Sequence, residues 1–71
     1  MDTGNLVRMA NRIGDFFEAM PDRDRALHDA IEHLRKFWEP RMRQELRLHV
    51  ERTNGKGLSP FMTEALSKHP F

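Results

Sequence analysis

The stretch AMPDRDRAL, Ala19 to Leu27, decides how the chain is read. Pro21 disfavours helical angles at Met20, and Asp22 offers a carboxylate to cap a helix beginning just beyond it. A short turn between two helices is the consequence. On its N-terminal side Leu6, Met9, Ala10, Ile13, Phe16, Phe17 and Met20 recur at i, i+3, i+4 and i+7 spacing and fill an arc of roughly 120°. Arg8, Asn11, Asp15 and Glu18 point away from that arc. On the C-terminal side Leu27, Ala30, Ile31, Leu34, Phe37 and Trp38 repeat the spacing, and Arg25, Asp29, Glu32 and Lys36 form the opposite face at separations where unlike charges attract. So short a connection predicts an antiparallel hairpin. The two stripes coincide at an offset of 21 residues. Three heptads of amphipathic helix produce the same match, so it marks a shared core pattern rather than a duplication.

Further along, FWEPRMR, Phe37 to Arg43, ends the second helix and begins a third. Pro40 suits a first helical turn and cannot continue the helix before it. In the third segment Met42, Leu46 and Val50 form a thin stripe with His49 beside it, while Leu48 lies about 200° around from Leu46. Apolar residues on two sides imply two neighbours, or one neighbour and a partner. Arg41 with Glu45, and Arg47 with Glu51, stand at i, i+4 pairing distance. TNGKG, Thr53 to Gly57, reads as a loop, and Ser59-Pro60 opens a last short helix with Ser59 as cap. Phe61, Met62, Ala65 and Leu66 are placed to dock that helix, and His69-Pro70-Phe71 is expected to fray. The expected architecture is all-α: a small bundle of three to four helices, spanning about 4–20, 22–38, 40–52 and 59–68 in one domain.

Composition limits what such a chain does alone. At 71 residues a single apolar core gives marginal stability unless a disulfide, a metal or a partner assists. There is no cysteine, which excludes disulfides and thiolate-based zinc or iron–sulfur sites. The opening MDTGNLVRMANRIGDFF interrupts every apolar run with polar or acidic residues, unlike a signal peptide or a membrane span, so a cytoplasmic location is expected. The net charge of +1 is too balanced to argue for nucleic acid, yet it is unevenly spread. Met1 to Glu39 holds six Arg/Lys against eight Asp/Glu, or −2, and Pro40 to Phe71 holds six against three, or +3.

No catalytic, cofactor-binding or metal-binding constellation emerges. His28 and His33 are separated by about 140° around a helix, so they do not face one ligand, and His49 and His69 stand alone. Glu32-His33 lacks the second histidine of a zinc protease helix, and Gly55 to Gly57 lacks the spacing of a phosphate loop. Ser59 and Ser67 have no nucleophile-elbow sequence around them. An enzyme acting alone is not expected.

Two binding readings remain. A helical nucleic-acid binder would offer Arg35, Lys36, Arg41, Arg43 and Arg47 to phosphates, with Phe37 or Trp38 for stacking. Glu39, Glu45 and Glu51 interleaved among these bases, and the absence of helix–turn–helix spacing, argue against it. The other reading is a small protein-binding subunit. Five methionines suit an adaptable apolar surface, and Trp and Arg are enriched where binding energy concentrates. The expected docking residues are Trp38, Arg41, Met42, Arg43 and Leu48, with Trp38 mainly core. Two arginines at a helix start oppose the macrodipole, a cost that carboxylates on a partner would offset.

NLVRMANRIGDFF (Asn5 to Phe17), AMPDRDRAL (Ala19 to Leu27), HLRKFWEPRMR (His33 to Arg43) and GKGLSPFMTEAL (Gly55 to Leu66) together resemble the delta subunit of the cytosolic, NAD-dependent, molybdenum-containing formate dehydrogenases. RMAN and FWEPRMR, with MPDR between them, are the most specific parts. The resemblance implies an accessory subunit with no redox centre of its own, one that supports assembly or stability of the active complex. It further implies a large catalytic subunit as partner, which carries bis-molybdopterin guanine dinucleotide with molybdenum or tungsten and oxidises formate to carbon dioxide. Iron–sulfur clusters and a flavin on other subunits would then pass the electrons to NAD.

Overall fold

The computed structural model describes residues 2–71. Four helices follow one another: α1 (Thr3–Glu18), α2 (Arg23–Phe37), α3 (Pro40–Thr53) and α4 (Pro60–Lys68). α1 and α2 form the antiparallel hairpin that the Met20-Pro21-Asp22 turn implies, and α3 and α4 both pack against α1. α4 also rests on α2, so α1 is the element shared by all the others.

Each helix start has a local cause. Asp2 accepts a bond from the Gly4 amide at 2.9 Å, Asp22 from Arg25 at 3.2 Å and Ser59 from Met62 at 3.2 Å. These carboxylate and hydroxyl oxygens satisfy amides that have no partner within the helix. Glu39 makes no such side-chain bond; α3 begins instead on Pro40, whose missing N–H needs no partner. α1 ends at Glu18, two residues short of the expected Met20, because Met20 precedes Pro21 and is drawn into a turn, its amide bonding to the Phe17 carbonyl at 3.0 Å. α3 stops at Asn54, which takes left-handed angles (φ 58°, ψ 28°), a conformation that Asn tolerates better than most residues.

Leu6, Val7, Ala10, Ala26, Leu27, Ala30, Ile31, Leu34, Trp38, Leu46, Phe61, Met62, Ala65 and Leu66 make one buried cluster. Of the hairpin's expected stripe residues outside it, Met9, Ile13, Phe17 and Met20 are partly buried against the cluster, and two stand clear of it. Phe16 is 72% exposed and Phe37 is 70% exposed. On α1 the buried residues are Leu6, Val7, Ala10 and Gly14, a face turned about 70° from the centre of the apolar arc. The reason is α4. A Cβ on Gly14 would lie 2.6 Å from Cγ and 2.8 Å from Sδ of Met62, so glycine alone lets the two helices approach this closely. The loop before α4 covers the same side: Asn11 donates through Nδ2 to the Gly57 carbonyl at 3.0 Å and accepts from the Ser59 amide at 2.8 Å. With α4 and its loop on the Val7–Asn11–Gly14 side, the Phe16 side of α1 is left uncovered.

The far end of the chain is held rather than frayed. Arg47 donates to the Phe71 carbonyl and its guanidinium lies 5.6 Å from the centre of the Phe71 ring, leaving the side chain half-buried. α4 is fastened at its other face by Glu64, which accepts from Arg23 at 2.6 Å and from Lys68 at 2.8 Å, while Arg23 also lies 5.4 Å from the centre of the Phe61 ring. The hairpin turn is thereby tied to the last helix.

Candidate functional site

The corner FWEPRMR is built largely from inside. Trp38 is 6% exposed and caps the end of α2, its amide bonding to the Leu34 carbonyl at 3.0 Å. Arg43 reaches back from α3, donating through Nη1 to the Trp38 carbonyl at 2.6 Å and the Arg35 carbonyl at 3.2 Å. Those carbonyls belong to the last turn of α2, which has no amides left to offer them, so the guanidinium meets both their unfilled acceptors and the negative end of the helix dipole. Arg43 therefore has a structural occupation that the sequence reading left open. Met42 is half-buried against the core. Arg41 is exposed and forms no ion pair among the described residues. Leu48 is half-buried and lines a depression of about 300 Å³ with Thr3, Glu45, His49, Arg52 and Thr53.

Neither expected ion pair on α3 forms. Glu45 accepts from Thr3 at 3.1 Å instead of facing Arg41, and Arg47 turns to Phe71 instead of Glu51. On α2 Arg35 is bound to Glu32 at 3.1 Å. Of the bases proposed as a phosphate track, Arg35, Arg43 and Arg47 are thus engaged within the chain. That removes three of five cations from the nucleic-acid reading.

The histidines are likewise occupied. His49 Nε2 lies 2.7 Å from the Lys56 carbonyl, bracing the loop after α3, and the His28 and His69 rings meet edge to face at 5.7 Å. Among the described residues no group of three or more His, Cys, Asp or Glu gathers as a metal site, and no helix is long and apolar enough to cross a membrane. The Glu64 carboxyl is held well below its ordinary range, at about 2, first by the Lys68 ammonium and then by the Arg23 guanidinium. An acid held between Arg23 of α2 and Lys68 of its own helix serves to fasten α4 to the hairpin.

The most conspicuous surface lies elsewhere, where the hairpin is uncovered. Phe16 and Phe17 meet edge to face at 5.1 Å, Phe17 faces His33 at 5.9 Å, and His33 faces Phe37 at 4.7 Å. Four rings thus run from α1 across to the end of α2. Two shallow depressions share Phe17 and His33: one of about 330 Å³ with Arg12, Ile13 and Phe16, the other of about 210 Å³ with Asp29, Glu32, Lys36 and Phe37. Sequence reasoning placed Phe16 and Phe37 in the core and missed this groove. The signal available was Gly14, whose presence inside a helix costs about 1 kcal/mol relative to Ala and marks a close packing contact on its own side.

The fold and these surfaces define a small helical protein that presents an apolar face and a charged corner. A sequence model for the NADH-dependent formate dehydrogenase delta subunit FdsD matches residues 5–66, and the chain belongs to that family. It is accordingly of the subunit type in a formate dehydrogenase, in keeping with the resemblance carried by RMAN, MPDR and FWEPRMR. No curated protein and no solved structure matches it.

Proposed function

We propose that this chain is a non-catalytic accessory subunit that binds the large, molybdenum-cofactor-bearing subunit of a cytoplasmic NAD-dependent formate dehydrogenase and supports assembly or stability of the active enzyme. The observation that carries the reading is the family match over residues 5–66. In this reading bis-molybdopterin guanine dinucleotide, iron–sulfur clusters and flavin reside on other subunits, which oxidise formate to carbon dioxide and reduce NAD. The chain itself contributes surface. At the FWEPRMR corner Arg41 and Leu48, seven residues apart on one face of α3, are the outward contacts, while Trp38, Met42 and Arg43 shape the corner from within.

The test is expression of the complex with and without this chain, measuring formate-dependent NAD reduction and molybdenum content. Low molybdenum in its absence identifies a role in cofactor insertion; normal molybdenum with short-lived activity identifies structural support. Equal activity, lifetime and molybdenum in both preparations would refute the reading.

A further inference from the structure

We infer that the aromatic groove formed by Phe16, Phe17, His33 and Phe37 is the principal docking surface of this chain, and that it receives an apolar segment of the large subunit flanked by carboxylates. This rests on the proposed binding of that subunit. Two phenylalanines each about seven-tenths in water are unusual for so short a chain, whose core is complete without them. They are neighbours in one band that crosses both helices of the hairpin, with half-buried Ile13 and Phe17 as its floor. Aromatic side chains supported from beneath and open above have the form of an interface anchor.

The rim indicates what covers the groove. Asp29 is paired with Arg25 and lies against His28, and Glu32 is paired with Arg35. Arg12 at one end and Lys36 at the other make no ion pair among the described residues, and Asp15, outside the groove, bonds to neither. The groove therefore has an apolar lining of Ile13, Phe16, Phe17 and Phe37, a cation without an ion pair at each end, and on the Lys36 side two carboxylates already held by Arg25 and Arg35. A partner segment with acidic groups on either side of an apolar stretch complements it. A second copy does not: a two-fold interface would set this positive rim against itself.

The test uses the formate dehydrogenase complex expressed without this chain as the probe, titrated with the purified chain. Phe16→Ala/Phe37→Ala is expected to weaken binding at least about tenfold while leaving far-UV circular dichroism unchanged, since neither ring is in the core. Arg12→Glu/Lys36→Glu is expected to weaken it as strongly, and Arg12→Lys/Lys36→Arg to keep it within about twofold. If the wild-type chain fails to bind the complex, the proposed function itself falls. If it binds and both disruptive variants bind equally well, the groove is not the interface although the function stands. A dimer of the free chain that Phe16→Ala/Phe37→Ala dissociates, with affinity for the complex unchanged, would also overturn the assignment.

Discussion

Replacing Gly14 with Ala sets two effects of comparable size against each other. In an exposed helix interior the substitution gains about 1 kcal/mol from helix propensity. Here the new methyl would sit 2.6 Å from Met62 Cγ, 2.8 Å from its Sδ and 3.3 Å from a Phe61 ring carbon. Met62 is fully buried and cannot swing into solvent, so α4 must shift or the thioether must leave its rotamer. Forcing a methyl into packed space costs about 1–3 kcal/mol, so the expected net effect is a loss of about 1 kcal/mol, or a fall of about 4–8 °C in Tm. Urea unfolding followed by far-UV circular dichroism reads this directly. The stronger check repeats Gly14→Ala in a Met62→Ala background, measured with a stabilising osmolyte because the deleted side chain itself weakens the core. With both Met62 contacts gone and only the 3.3 Å approach to Phe61 left to relax, propensity should prevail and the same substitution should now stabilise. A gain in the wild-type background, or no change of sign between backgrounds, would refute the argument that the α1–α4 contact sets the rotation of α1.

The remaining predictions concern charge. Arg43→Ala should cost about 1–2 kcal/mol by leaving the last carbonyls of α2 without their donor, and hydrogen exchange should speed up in that turn first; Arg43→Lys, with a single ammonium in place of the fork, should restore only part. Because the folded Glu64 carboxyl titrates at about 2 and its ordinary value is near 4.5, its contribution is complete above the higher value and is lost as pH falls through the lower. The stability difference between wild type and Glu64→Gln should therefore narrow on acidification across that window, and narrow also with added salt at neutral pH, both measured as urea midpoints.

The helices and their starts were legible because the determinants are local. Pro21 and Asp22 define the hairpin turn, Pro40 the second corner and Ser59-Pro60 the last helix, each through chemistry confined to a few neighbouring residues. The part of the apolar arc on α1 that faces inward was not legible, because a helical wheel records hydropathy and Gly14 has none. It is chosen by α4, about two-thirds of the chain away. The destination of long basic side chains was equally hidden: Arg43 and Arg47 have local acidic neighbours to pair with, yet they bond to carbonyls whose position depends on the finished fold. Phe16 and Phe37 were assigned to the core by spacing that was correct for a helix and silent about whether a neighbour arrives.

The open aromatic groove also bears on how the chain is made in a cell. Two phenylalanine rings stand in water amid charged surroundings, and each unpaired molecule carries a patch that other exposed apolar surfaces can find. Synthesis in step with the rest of the complex keeps that population small, whereas overproduction alone accumulates it. On the proposed docking at this groove, rings that would be covered by the partner leave an orphan copy prone to precipitation and a natural target for clearance.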